Sequence, residues 1–256
     1  MTTTPFILDA REFGSGESTI VLLGSLGSNH DMWLPQMDAL SRDARVISLE
    51  HRGHGNSPIA LDVPTVADLA ADVLATLDRL NVAEFSVAGL SLGGAVAQYL
   101  AANFPERVRS VVLLCTSPKF GESSGWVERA QTARSQGVPS LADAIVDRWF
   151  SAEFLADHPA SRDYFVRMIC TTSDEGYAQC CEALASWDFS SDLSRIEQPV
   201  LTIAGDEDPA TTPETLQLIA DGVSNGQAEV LSPAGHLPTI EQAAEVNRLL
   251  REHFLN

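Results

Sequence analysis

The chain has 256 residues, 45% of them hydrophobic, enough for one large domain with a buried core. Its formal net charge is −19, from 35 acidic against 16 basic side chains. That balance argues against nucleic acid or an anionic membrane as a partner, and any anionic small-molecule substrate would have to be held by local arginines.

Four cysteines, Cys115, Cys170, Cys180 and Cys181, show no metal-binding spacing, and the adjacent pair is poorly placed to bond to each other. They read as reduced, buried thiols of a cytoplasmic protein. The opening MTTTPFILDAREFG has no basic segment ahead of an apolar one, so no signal peptide is expected, and no apolar run approaches the ~20 residues of a membrane span.

In chain order, β-rich apolar runs occur at Phe6–Phe13, Thr19–Leu23, Arg45–Glu50, Phe85–Ala88, Arg109–Cys115, Pro199–Ala204 and Ala228–Leu231. Most are short and apolar throughout, as strands buried on both faces of a parallel sheet must be. Helical patterns fall between them at Asp31–Leu40, at Val66–Leu80 with Thr65 as N-cap, and at Ser91–Asn103, stopped by Phe104-Pro105. Two more follow at Thr212–Ala220 and Ile240–Phe254. The alternation predicts an α/β, doubly wound, mostly parallel sheet. From about Ser117 to Trp187 it stops, and only helix-like stretches appear: Gly125–Gln136, Leu141–Phe150, Ser161–Cys170 and Glu175–Ser186. Residues 1–116 and 188–256 are therefore expected to form the core, with 117–187 a helical cap inserted after the fifth or sixth strand.

The segment FSVAGLSLGGAVAQYL carries the first chemical signal. Gly89-Leu90-Ser91-Leu92-Gly93 is a G-x-S-x-G that follows a strand and opens a helix. Glycines on both sides clear the space a strained turn needs, and the helix N-terminus adds free N–H groups beside the hydroxyl. A phosphate-binding loop is the competing reading, but G-x-G-x-x-G and G-K-[ST] are absent. A serine hydroxyl needs a base held by an acid, in the chain order Ser, Asp/Glu, His. Downstream, a strand runs into Gly205-Asp206-Glu207-Asp208, and another leads to Ala234-Gly235-His236. Both lie past strand ends on the edge expected to carry Ser91. Asp206, Glu207 and Asp208 all compete as the acid. His30, His158 and His253 read as ordinary. His51 and His54, in His51-Arg52-Gly53-His54-Gly55, read as a turn after a strand, with a metal pair the weaker alternative.

Together these residues resemble the α/β-hydrolase family over essentially the whole chain. In that family the acid stands three residues after the glycine ending its strand, which selects Asp208, and the histidine matches His236. The resemblance implies an oxyanion hole whose first donor is the Leu92 backbone N–H. The second comes from the loop after an early strand, commonly His-Gly-x. Here Gly24 and Ser25 replace the histidine and glycine, and Leu26 occupies the donor position. The stretch from His51 to Ser57 is similar to the family's Asp-x-Arg-Gly-x-Gly-x-Ser turn, with Glu50 or His51 in place of the usual acid.

More narrowly, several stretches are similar to 3-oxoadipate enol-lactonases. They are Ser25-Leu26-Gly27 with Met32-Trp33 and Pro35-Gln36, then Cys115-Thr116-Ser117, Trp126-Val127-Glu128-Arg129-Ala130, Arg148-Trp149-Phe150, and Gly176-Tyr177 with Cys181-Glu182-Ala183. The resemblance implies conversion of 3-oxoadipate enol-lactone to 3-oxoadipate, in aromatic-compound catabolism, through an acyl-enzyme on Ser91 and without metal or cofactor. Arg129 and Arg148 are candidates for holding the substrate carboxylate, with ordinary surface ion pairs as the alternative for each. Trp126 and Trp149 could wall the pocket or pack the cap. A carboxylesterase, a C–C bond hydrolase, a perhydrolase, or a ligand receptor on the same fold would share these motifs.

Overall fold

The short apolar runs become seven strands of one sheet. The computed structural model describes residues 4–255; residues 1–3, which begin the N-terminal stretch read above, and residue 256 lie outside it. The strands are β1 (Ala10–Phe13), β2 (Thr19–Leu23), β3 (Arg45–Leu49), β4 (Phe85–Leu90), β5 (Val108–Leu114), β6 (Pro199–Gly205) and β7 (Asn225–Leu231), in the order β1-β3-β2-β4-β5-β6-β7. All neighbours are parallel except β1 and β3. Strand β4 is buried at all six positions, which explains its unbroken apolar sequence. The strand order reverses between β2 and β4, and a sheet of this kind opens a ligand crevice at such a point, beyond the strands' C-terminal ends.

Three helices precede the fifth connection: α1 (Leu34–Leu40), α2 (Val66–Arg79) and α3 (Leu92–Asn103). Five lie between β5 and β6: α4 (Ser123–Gln136), α5 (Pro139–Trp149), α6 (Ala152–Asp157), α7 (Pro159–Cys170) and α8 (Asp174–Ala185). The last three are α9 (Pro213–Gly222), α10 (Pro238–Glu241) and α11 (Ala243–Leu255). Thr65 caps α2 in a capping box: its hydroxyl accepts from the Asp68 N–H, and the Asp68 carboxylate accepts from the Thr65 N–H. No helix among the described residues is long and apolar enough to cross a membrane.

Several elements differ from their sequence expectations, each for a visible reason. The first strand begins at Ala10 rather than Phe6, because the preceding amides bond to side chains instead of a neighbouring strand. The Phe6 N–H goes to Asp72, that of Leu8 to Thr76 and that of Asp9 to Ser57. The helix expected at Asp31–Leu40 is a 3₁₀ turn (His30–Trp33) followed by α1. Strand β7 starts three residues before its apolar run; it is an edge strand, so polar residues extend it at no cost in burial. The expected Ile240–Phe254 helix breaks at Gln242, dividing α10 from α11. Helix α6 was not foreseen, since six residues are too few to display periodicity. Cys170 is exposed, unlike the other three thiols, because it ends α7 on the solvent side.

The β4–α3 turn works only with small residues. A Cβ on Gly89 would lie 2.2 Å from the Gly93 carbonyl oxygen, and one on Gly93 would lie 2.2 Å from that of Leu23 in β2. Both obstacles are backbone and cannot rotate away. By contrast Gly125, in α4, faces open space. Gly93→Ala should therefore cost about 3 kcal/mol of stability. Gly125→Ala should be neutral or stabilise by up to about 1 kcal/mol. Urea denaturation of both variants checks the contrast, and similar values would show that the turn has room to spare.

Candidate active site

Ser91 leaves β4 in the left-handed region, with φ 57°, and the next residue starts α3. The turn is tied to β5: the Ser91 N–H donates to the Leu114 carbonyl at 3.0 Å, and the Thr116 hydroxyl donates to the Ser91 carbonyl at 2.7 Å. A strained serine is thus held through both its N–H and its carbonyl, with its side chain left for other use. Leu92, at the first helical position, has an N–H with no acceptor inside the helix.

The acidic loop after β6 and the loop after β7 meet above the same sheet edge. His236 Nδ1 lies 2.6 Å from Asp208 Oδ2, and both side chains are buried. The ionised carboxylate only accepts, so the imidazole proton sits on Nδ1 and Nε2 is left as a base. Asp208 also accepts from the Thr211 hydroxyl at 2.5 Å and from the Ala210 N–H at 2.8 Å. Burial opposes its charge, yet the His236 charge and these hydrogen bonds outweigh burial and hold the carboxyl below its ordinary value. Asp206 and Glu207 are exposed; the Asp206 side chain instead accepts from the Ala234 N–H and shapes the histidine loop.

A cavity of about 190 Å³ opens over this edge, lined by Ser91, His236, Leu26, Ser25, Thr211 and Ala210 below. Phe120, Gly121, Trp126, Arg129, Ile145, Arg148 and Trp149 complete the lining. The volume is below the roughly 300–1,000 Å³ usual for drug-sized ligands, so the space suits a small molecule. Ser91 and His236 share the cavity, but their side chains are not hydrogen-bonded to each other; in unliganded sites such contacts are commonly long and close on ligand binding.

Of the four residues expected to bind substrate, all reach the cavity. Among the described residues neither Arg129 nor Arg148 has a carboxylate partner, so the surface ion pairs offered as alternatives do not form. Nearby Arg134 and Arg162 show the contrast, bonding to Glu175 and Glu182, and to Asp143 and Asp147. Arg129 lies over the rings of Trp126 and Tyr177, at 5.3 and 5.5 Å, and its buried Nε has no acceptor. Burial first, and the Arg129 charge second, lower the Arg148 pKa from its ordinary value. Trp126 donates to the Phe120 carbonyl at 2.6 Å, Trp149 packs edge-on to Phe165, and both residues line the cavity.

The loop after β2 supplies Leu26. Its neighbours' amides are engaged: Ser25 N–H with Met32 Sδ, Gly27 N–H with His54 Nε2, and Ser28 N–H with the Ser25 carbonyl. Among the described residues the Leu26 N–H has no acceptor, and Leu26 lines the cavity beside Ser91.

Two residues near the site, Thr211 and Glu241, escaped the sequence, and the position of a third, Cys115, was not legible there. Thr211 holds the Asp208 oxygen that also faces His236. Glu241 accepts from the Gly235 N–H through one oxygen and from the Ser151 N–H and hydroxyl through the other, joining the histidine loop to the inserted helices. Cys115 has φ 41° at the end of β5, and its sulfur lies within 4.8 Å of ligand atoms of Asp208 and His236. Burial, with the Asp208 charge behind it, pushes the thiol well above its usual range, so it stays protonated and unreactive. His30 opens the 3₁₀ turn and is buried, hydrogen-bonded to Asp9 and Ser48. The Glu241–Ser151 and Cys115–Asp208 contacts span long chain separations, which a local pattern does not display.

Residues 18–243 match the family described as alpha/beta hydrolase fold. The chain is 36% identical over 248 residues to 3-oxoadipate enol-lactonase 2 of Acinetobacter baylyi, covering 96% of this chain and 92% of that one. It is 34% identical to 3-oxoadipate enol-lactonase 1 of the same organism, over 87% and 83% of the two chains. The crystal structure of the enol-lactonase from Burkholderia xenovorans LB400 superposes with a TM-score of 0.95 at 34% identity, covering 97% of this chain and 96% of that one.

The lowered Asp208 pKa has a measurable consequence. The carboxylate contributes stability that is present above its unfolded value of ~4 and is lost as pH falls through the lower native value. The difference in unfolding free energy between wild type and Asp208→Asn should therefore shrink as urea denaturation is repeated from about pH 6 down to about pH 3. A difference that stays constant, or grows in acid, would show that the folded protein does not favour the charged form.

Proposed function

The chain belongs to the α/β-hydrolase family, and from that premise we propose that it is a serine hydrolase that opens a small enol-lactone bearing a free carboxylate, 3-oxoadipate enol-lactone. One observation carries the reading. A small cavity holding a strained serine and a carboxylate-backed imidazole also holds two arginines that lack carboxylate partners, in a protein of charge −19. Leaving two guanidinium groups unpaired beside so many acids makes chemical sense where an anionic ligand completes them. The similarity to proteins named as enol-lactonases, extending through the inserted helices, supports the same substrate class.

In the proposed reaction the substrate carboxylate lies against Arg129 and Arg148, with its ring between Trp126 and Trp149. Ser91 Oγ attacks the ring carbonyl while His236 Nε2 takes its proton. Asp208 keeps the imidazole in the required tautomer and stabilises its positive charge. The developing oxyanion is received by the N–H groups of Leu26 and Leu92, each such donor being worth about 10²–10³ in rate. Cleavage of the ring C–O bond releases an enolate oxygen, which His236 protonates. The enol becomes a ketone and can no longer close the ring, which draws the opening step forward. Water deprotonated by His236 then attacks the acyl-enzyme and frees the second carboxylate, giving 3-oxoadipate.

The decisive comparison is loss of enol-lactone absorbance beside a panel of neutral short-chain esters. The lactone should have much the higher kcat/KM, and Ser91→Ala should reduce both activities by at least about 10⁴. Arg129→Met or Arg148→Met should raise KM for the lactone about 10- to 100-fold, the value of one lost charge-assisted bond, with far less effect on neutral esters. Preference for simple esters would assign the site to a carboxylesterase. Equal effects on charged and neutral substrates would remove the arginine concerned from the binding role.

A further inference from the structure

His51 and His54 stand outside the reaction just described, yet both are buried and both touch the loop that carries Leu26. We infer that these two imidazoles are positioning residues for the oxyanion hole, clamping the Gly24–Gly27 segment at its two ends so that the Leu26 N–H points into the cavity. The inference rests on the reading of Leu26 as an oxyanion donor.

The hydrogen bonds specify the arrangement. His51 Nε2 lies 3.0 Å from the Gly24 carbonyl oxygen, which can only accept, so His51 carries its proton on Nε2. His54 Nε2 accepts the Gly27 N–H at 2.9 Å, so it must be bare, and His54 Nδ1 donates to the Arg52 carbonyl at 3.2 Å. Two histidines three residues apart are thus fixed in opposite tautomers, one gripping a carbonyl and the other an amide. Gly27 has φ +83°, a conformation glycine adopts freely, and the bond from His54 selects it from the alternatives open to that residue.

The turn bearing the imidazoles is itself immobilised. The Arg52 guanidinium forms a buried pair with Asp72 at 2.5 and 2.7 Å. Gly53 bonds to Pro58 and to Ser173, and packs so closely on Gly176 of α8 that a Cβ would lie 2.3 Å from its Cα. Burial pushes His51 down to about 3, with the facing His54 adding to the effect, and His54 down to about 4. Both rings are therefore neutral at ordinary pH, as the clamp requires: a protonated His54 would oppose an N–H to the Gly27 N–H.

The test combines spectroscopy and kinetics. In the wild-type protein, ¹⁵N NMR of the imidazoles near pH ~7 should find His51 as the Nε2–H tautomer and His54 as the Nδ1–H tautomer. His54 as the Nε2–H tautomer would overturn the clamp, whatever any variant does. With p-nitrophenyl acetate, His54→Leu should lower kcat about 10- to 100-fold at nearly constant KM, and weaken binding of phenylboronic acid, whose tetrahedral adduct uses the same donors, in parallel. His54→Gln should recover most of the loss, because its amide oxygen can accept at the position of Nε2. A folded His54→Gln protein as impaired as His54→Leu, or a loss confined to KM, would contradict the inference. Ester hydrolysis that survives Ser91→Ala would instead defeat the hydrolase reading and leave the tautomers to be judged separately.

Discussion

The β4–α3 turn touches β2 so closely that no side chain fits between them. Gly93 lies against the Leu23 carbonyl, its N–H bonds to the Gly24 carbonyl, and Gly89 lies against Gly93. This contact puts the Ser91 side chain and the start of α3 next to the loop that leaves β2. It also sits where the strand order reverses, the one place in the sheet where two loops diverge and leave a crevice. The strain at Ser91 is sustained because bonds from Leu114 and Thr116 hold the turn from the β5 side. Loosening any of these contacts would move the serine relative to everything else above the sheet.

Around that fixed point the remaining groups are supported in depth. Asp208 receives three kinds of donor and orients His236; Glu241 links the His236 loop to the junction after α5; His51 and His54 grip the Leu26 loop. The Leu237 N–H also donates to the Trp149 carbonyl, so a residue lining the roof of the cavity is bonded to the neighbour of the imidazole beneath it. Charge is distributed with the same economy. Arg134 and Arg162 of the inserted helices are each bonded to two carboxylates, while the two arginines facing the cavity are held over aromatic rings or partly desolvated.

Much of this could be read from the sequence, because backbone constraints act locally. The G-x-S-x-G spacing, the strand–helix alternation, the Thr65 cap and the break in alternation at residue 117 all express short-range physics. Thr211 lies only three residues from Asp208 but belongs to no motif; the other residues that escaped depend on contacts across long separations. Glu241 meets Ser151 across ninety positions, and Cys115 meets the Asp208–His236 pair only because β5 and β6 are neighbours. Polar β7 hid its first residues because an edge strand needs no apolar pattern, and the Phe6–Asp9 run read as strand because side-chain acceptors on α2 are invisible in a local pattern. His51 and His54 were visible as a motif, but their function lies in the loop they hold rather than in the turn they occupy.

The central claim is that Ser91 is a nucleophile activated by His236. Intact-protein mass spectrometry after treatment with a fluorophosphonate, followed by peptide mapping, measures this directly. The account predicts one stoichiometric phosphonyl adduct, on Ser91, formed rapidly in the wild type and suppressed in His236→Ala. A folded protein that remains unlabelled, or is labelled at another residue while Ser91 stays free, would contradict it.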